Sequence, residues 1–274
     1  MNKIIEIGNT EFKLGERTYI MGILNVTPDS FSDGGRFNNI EIAVKHAKEM
    51  IEEGTDIIDV GGESTRPNHI PVSEEEELRR VVPIIEALKK EINVPISIDT
   101  YKSRVAEEAV KAGASLINDV WGFKKDAKIS AVAAKYNTAC CLMHNREDKN
   151  YTNLIEDIIN DLKESINIAV SAGVSRDKII LDPGIGFAKT LEDNLLAMNN
   201  LEKFNTLGYP VLLGTSRKSM IGLTLNLPVE ERLEGTIATT VIGVMKGCSF
   251  IRVHDIKENK RAAVMTDAVV RNFL

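Results

Sequence analysis

Cysteine is scarce in this chain. Cys140, Cys141 and Cys248 are all it has among 274 residues, an odd number and too few for a disulfide framework. No run of about eighteen apolar residues occurs, so no membrane span is expected. The start, Met1-Asn2-Lys3-Ile4-Ile5-Glu6, holds an early acid and no apolar core of signal-peptide length. A reducing cytoplasm is the setting these absences point to. Basic residues are not in excess either. A formal net charge of -6 argues against a broad nucleic-acid footprint, while a few local cations would still hold a small anion. No linker or low-complexity stretch breaks the chain, and 43% hydrophobic residues are enough for one large core. A single domain over residues 1–274 is expected.

What is present is a recurring punctuation. Amphipathic helical stretches stop at Gly54, Gly113, Gly173, Gly208 and Gly247, and a short apolar strand follows each. Strands that are apolar throughout are those buried on both faces of a parallel sheet. Eight are read, at 19–25, 56–61, 96–100, 115–120, 138–144, 178–183, 211–215 and 250–254. Helices alternate with them: Ile155, Ile158, Ile159, Leu162, Ile166 and Ala169 recur at steps suited to one helix face. Ser73 and Glu76 read as a capping box, and Pro83 is expected to kink or split the helix they open. Eight such units predict a closed (β/α)8 TIM barrel, with residues 3–18 as an antiparallel hairpin under its floor. The rival, a doubly wound open sheet, would bring a glycine-rich nucleotide fingerprint after an early strand, and none is found. Cys140 and Cys141, adjacent on a strand, should face opposite ways as small buried hydrophobes.

Polar residues collect at one end of these strands. Asn25 ends the first, and a glycine-rich loop carrying Phe31 and Asp33 follows it. Glu63-Ser64-Thr65-Arg66-Pro67 follow the second; Asp99 ends the third, Asn118 and Asp119 the fourth, Met143 and His144 the fifth, and Asp182 the sixth. Ser216-Arg217-Lys218-Ser219 follow the seventh, and Arg252 and His254 close the eighth. In a barrel these ends converge on one mouth, where barrel enzymes work. Asp99, Asn118 and Asp182 suit a heterocycle with several N–H donors. Lys218, Arg252 and His254 suit an anion, since the planar fork of arginine matches phosphate oxygens. The glycines of Asp182-Pro183-Gly184-Ile185-Gly186-Phe187 allow close backbone approach and set Phe187 over the mouth. Helix capping competes for Asp182. Asp59 reads as structural, Asp119 and Trp121 as packing groups no less than contacts, and Arg217 as the weaker neighbour of Lys218.

These segments resemble the dihydropteroate synthases from end to end. The resemblance rests on 23–35, on Asp56-Ile57-Ile58-Asp59-Val60-Gly61-Gly62-Glu63-Ser64-Thr65-Arg66-Pro67, and on shorter matches at 97–100, 117–120, 182–187, 216–219 and 252–254. It implies a pterin-binding barrel that condenses 6-hydroxymethyl-7,8-dihydropterin diphosphate with p-aminobenzoate, giving 7,8-dihydropteroate and pyrophosphate by a dissociative, SN1-like displacement. By the same resemblance Asp99, Asn118, Asp182 and Lys218 hold the pterin, and Met143 packs on its ring. Asn25, Thr65, Arg252 and His254 serve the diphosphate, with Mg2+ at Asn25. Phe31, Asp33, Arg66 and Pro67 complete the aminobenzoate pocket on two loops, and Phe187 and Ser219 line its other side. Catalytic roles fall to Lys218, Arg252, His254 and Asp33. A homodimer is implied, as is competition of sulfonamides with p-aminobenzoate. Two rivals share the barrel: a pterin-dependent methyltransferase and a noncatalytic pterin-binding paralogue. Neither needs both the 25–35 loop and the Arg252/His254 pair. Residues 144–148 and Asn68 depart from the family pattern, both in loops.

Overall fold

The computed structural model describes residues 4–26, 36–63 and 71–271. Strands β1 (Ile4–Ile7) and β2 (Thr10–Lys13) pair antiparallel. Eight parallel strands follow: β3 (Tyr19–Asn25), β4 (Ile57–Gly61), β5 (Ile96–Asp99), β6 (Leu116–Asp119), β7 (Ala139–Met143), β8 (Ile179–Asp182), β9 (Leu212–Leu213) and β10 (Phe250–Val253). Helices α1 (Arg36–Glu52), α2 (Glu74–Glu91), α3 (Ser103–Ala112), α4 (Lys128–Lys135), α5 (Leu154–Ser171), α6 (Leu191–Asn199), α7 (Ser219–Leu225), α8 (Leu233–Met245) and α9 (Ile256–Val270) lie between and after them. The sheet runs β8-β7-β6-β5-β4-β3-β10-β9. Its two ends meet where Leu181 bridges Val211 and the Leu181 N–H donates to the Pro210 carbonyl at 2.9 Å. The expected (β/α)8 barrel is therefore closed.

Strand alternation divides the apolar residues between two cores. Ile58, Val60, Ile98, Ile117, Cys140 and Leu181 face outward and pack under the helices. Tyr19, Met21, Ile57, Leu116, Cys141, Ile180, Leu212 and Phe250 face inward and fill the lower barrel. The hairpin closes that end by adding Ile5, Ile7 and Phe12 to the inner core, with the Phe12 and Tyr19 rings edge to face at 4.9 Å. Cys140 and Cys141 thus part to opposite faces, as their adjacency requires.

Two expectations for α2 are met only in part. The helix runs unbroken from Glu74 through Pro83 to Glu91, so Pro83 does not split it. An interior proline costs about 3 kcal/mol. Burial of Val81, Ile84, Ile85 and Leu88 against the barrel offsets that cost, at about 1.5–3 kcal/mol for each large side chain. The capping box is also only half made. Ser73 accepts the Glu76 N–H at 3.2 Å, but the Glu76 carboxylate turns to Arg80 Nε at 2.7 Å and to Arg79. Charge attraction in the first turn wins over the reach back to the cap. A full box occurs instead at Thr190 and Asp193, opening α6. The seventh strand, 212–213, is shorter than its expected span, 211–215, and the chain turns at Ser216 and Arg217 before α7.

Candidate active site

The inward face changes character along the strands. Apolar at the hairpin end, it becomes polar at the C-terminal end. The register places Asn25 beside Gly61, Gly61 beside Asp99, and Asp99 beside Asn118. Met143 stands beside Asp182. Arg252, two residues above Phe250 on the inner face of β10, reaches across this ring. Its Nη2 donates to Asp99 Oδ2 at 2.7 Å, and its Nε donates to Asp59 Oδ2 at 2.6 Å. That same Asp59 oxygen accepts from Asn118 Nδ2 at 3.1 Å. Gly214 completes the wall: a Cβ built on it would lie 3.8 Å from both Arg252 Cβ and Asp182 Oδ2. Asp99, Asp182 and Arg252 therefore border one cup.

The cup is electrostatically tense. Burial pushes the Asp99 carboxyl up, against the pull of the Arg252 guanidinium. Burial opposes the charge on Arg252, but Asp59 and Asp99 more than compensate and raise its pKa. Asp182 is likewise pushed up by burial, opposed by Lys218. Lys218 is pushed down by burial to about 8, with Asp182 pulling the other way. Asp99 Oδ1 is buried without a hydrogen-bond partner among the described residues. An acceptor in that condition costs about 1–3 kcal/mol until a donor meets it.

The loop after β8 supplies the other wall. Asp182 Oδ1 accepts the Gly184 N–H at 2.7 Å, so the acid orders its own loop. Gly184 has φ of +69°, and a Cβ there would lie 2.0 Å from the His144 carbonyl oxygen. Gly184→Ala is accordingly expected to cost about 3 kcal/mol or more, from left-handed strain plus a clash with backbone that cannot move aside. Urea unfolding of the variant measures it, and an unchanged midpoint would refute the close approach. Lys218 donates to the Ile185 carbonyl, and its Nζ lies 4.7 Å from the centre of the half-buried Phe187 ring.

Of the other expected residues, His254 Nδ1 lies 2.8 Å from Ser216 Oγ, and Met143 is buried on the inner wall. Asn25 is half-buried at the rim, and Ser219 is exposed at the start of α7. Phe31, Asp33, Thr65, Arg66 and Pro67 lie outside the described residues. Arg217 turns away to a two-point pair with Asp255, at 2.6 and 2.8 Å. Asp119 faces outward and caps a turn by accepting the Trp121 and Phe123 N–H groups, both at 2.8 Å. A cleft of about 450 Å³ between Trp121, Lys125, Arg146 and Asp161 is lined by none of the residues of the cup.

Two features were not expected. Asp59, read as structural, turns out to brace both Arg252 and Asn118. Its signal was the alternation Ile57-Asp59-Gly61, which puts it on the inner face. The second is a buried lysine, whose pKa burial lowers to about 7. Lys189 Nζ donates to the Gly184 carbonyl at 2.9 Å, to the Phe187 carbonyl at 3.1 Å and to His144 Nδ1 at 2.9 Å. His144 Nε2 in turn meets Asp161 Oδ2 at 3.0 Å. Burial lowers the His144 pKa to about 4, from an ordinary 6.5. Between those values the unfolded chain binds the extra proton, so stability rises with pH there and is lost as pH falls from 6.5 toward 4. The loss from this group amounts to up to about 3 kcal/mol. His144→Gln should flatten that part of the stability–pH curve, as measured by denaturant unfolding at several pH values. An equally steep curve would refute the assignment.

This ring of acids and cations at the C-terminal mouth of a (β/α)8 barrel is an enzyme's site by placement and chemistry. Residues 21–254 match the family of pterin binding enzymes, and the chain belongs to that family. Within it, the chain falls with the dihydropteroate synthases, transferases of folate synthesis. It is 70% identical over 268 residues to the dihydropteroate synthase of Clostridium beijerinckii, covering 97% of this chain and all of that one. A crystal structure of the Clostridium difficile dihydropteroate synthase, obtained in the presence of pteroic acid, superposes with a TM-score of 0.93 at 56% identity, over 95% of this chain and 99% of that one. The Xanthomonas albilineans enzyme with 4-aminobenzoic acid superposes at 0.92 with 38% identity, over 98% of each.

Proposed function

We propose that the cup is where this chain joins 6-hydroxymethyl-7,8-dihydropterin diphosphate to p-aminobenzoate, releasing 7,8-dihydropteroate and pyrophosphate. The observation that carries the reading is the convergence of Asp99, Asp182 and Arg252 on one cavity, with a buried acceptor of Asp99 awaiting a donor. The relatives support both ligands: one was crystallised with pteroic acid, another with 4-aminobenzoic acid.

In this reading Asp99, Asn118 and Asp182 receive the N–H groups of the pterin, and Met143 packs on its face. Lys218, held by the Ile185 carbonyl and drawn to Asp182, donates from the side. Arg252 and His254 face the diphosphate, where charge develops as the bond to carbon breaks; donors fixed in advance stabilise such charge most. Electron release from the dihydropterin ring supports a cationic carbon, so the displacement is dissociative. The arylamine is neutral and already nucleophilic at pH 7, and no strong base is needed. Phe187 and Ser219 line its pocket; the family resemblance gives the rest of that pocket to Phe31, Asp33, Arg66 and Pro67, and Thr65 to the diphosphate.

Mg2+ fits this donor set as an ion shared with the substrate. Among the described residues no three His, Cys, Asp or Glu side chains cluster to cage a cation, whereas the Asn25 carboxamide oxygen borders the gap above Gly61 beside Asp99. Mg2+ is commonly held by one or two protein oxygens plus phosphates, and Asn25 would be that ligand. When bound, the ion would neutralise charge on the leaving diphosphate.

A homodimer in the cytoplasm completes the reading. Ile242 and Met245 on α8, with Val264, Met265 and Val269 on the adjoining α9, expose apolar side chains suited to a second copy. No described helix is long and apolar enough to cross a membrane. The decisive assay is pyrophosphate release from purified protein, expected only when both substrates are present and competed by sulfonamides against p-aminobenzoate. Release from the pterin diphosphate alone at the same rate would show a hydrolase instead.

A further inference from the structure

Asp59 lies fully buried on β4, on the inner face and two residues below Gly61. Its Oδ2 takes two donors, Arg252 Nε at 2.6 Å and Asn118 Nδ2 at 3.1 Å. A carboxylate facing a guanidinium accepts hydrogen bonds and offers none. Asn118 therefore has to turn its NH2 to Asp59, and its carbonyl oxygen is sent to the other side of the amide. Asn118 stands in register with Asp99, whose Oδ1 is itself an unmet acceptor. With Asp182 across the cup, the floor becomes a set of acceptors.

We propose that Asp59 is the positioning residue of this floor: by dictating which way the Asn118 amide points, it selects heterocycles whose buried edge is rich in N–H donors. The proposal rests on the ring-binding reading of the cup. It also explains why a carboxylate, rather than any residue of similar size, occupies the layer beneath the mouth. An asparagine at 59 would keep its oxygen toward Arg252 Nε but lose the charge that draws the Asn118 amide, and so would hold Asn118 less firmly in this orientation.

Calorimetric titration with pteroic acid tests this. Asn118→Asp puts two carboxylates at the present 3.1 Å contact and is expected to weaken binding about thirtyfold or more at pH 8. Adding Asp59→Asn removes one of the two facing charges and leaves the cluster's net charge as in the unsubstituted protein, with the new carboxamide oxygen still able to accept from Arg252 Nε. Binding should then return to within about fivefold of the unsubstituted protein, a coupling seen only between groups that act on one another. Asp59→Asn alone should weaken binding about tenfold, the scale of one charge-assisted hydrogen bond. Rescue of one damaging substitution by a second is a result that loss of packing does not produce. A double variant binding no better than Asn118→Asp overturns the proposal, as does an Asp59→Asn variant binding at full strength. Circular dichroism on each variant identifies loss of fold; if Asp59→Asn alone is unfolded, the comparison of Asn118→Asp with the double variant decides. Failure of the unsubstituted protein to bind pteroic acid would instead overturn the reading of the cup.

Discussion

Asp182→Ala is expected to weaken pteroic-acid binding at least about a hundredfold. Two losses combine. The carboxylate can no longer meet ring donors in a buried site, where a hydrogen bond to a charged group is worth about 1.5–3 kcal/mol. The Gly184 N–H also loses its acceptor at 2.7 Å, so the wall carrying Phe187 is no longer tied to β8. Asp182→Asn separates the two. Its carboxamide oxygen can still accept from Gly184, so the loop should stay in place while the charge is gone. A further consequence concerns Lys218. Burial lowers its pKa to about 8, and Asp182 is the leading influence opposing that. Without Asp182 the lysine should lose its proton at lower pH. The alkaline fall in turnover, if Lys218 must be charged, would then move below pH 8. Calorimetry and a pH–rate profile on both variants check these points. Unchanged affinity in Asp182→Ala would mean that the acid serves its own loop and nothing else.

How much of this was legible in the sequence depends on which physical rule governed each part. Glycine punctuation and all-apolar strands made the barrel readable, and the eight expected strands match those observed apart from a residue or two at most ends. Placement of polar residues at strand ends was enough to gather Asp99, Asn118, Asp182 and Arg252. Asp59 was missed because it lies mid-strand, where reading ends rather than faces hides it. Alternation from Ile57 through Asp59 to Gly61 carried the information. Lys189 left no comparable trace: before a helix, a lysine ordinarily looks solvated. Only the fold shows the Gly184 and Phe187 carbonyls and His144 closing around it. Pro83 and Glu76 show the same limit from the other side, since local rules for helices gave way to burial at one and to nearby arginines at the other.

Arg252→Ala should be the most damaging single change in the cup, through two effects that further variants can separate. Arg252 is the charge partner of two buried acids, Asp59 and Asp99. Removing one side of a buried ion pair costs about 3–5 kcal/mol, since the charges left behind have neither water nor a partner. Turnover should fall by about a hundredfold to a thousandfold as well, the scale for losing a fixed donor at developing charge. Pairing the change with Asp59→Asn removes one stranded charge, so part of the stability should return, visible as a recovered urea midpoint. Turnover should not return, because the guanidinium that faces the leaving diphosphate is still absent. Arg252→Lys sharpens the distinction. A single ammonium keeps the charge but cannot bridge Asp59 through Nε and Asp99 through Nη2 at once. It should fold nearly as well as the unsubstituted chain and still turn over slowly. If Arg252→Lys were fully active, point charge alone would suffice and the planar fork would have no role in the chemistry. If Arg252→Ala with Asp59→Asn regained both stability and rate, Arg252 would be only the neutraliser of the floor, and the anion would have to be held by His254 and its neighbours.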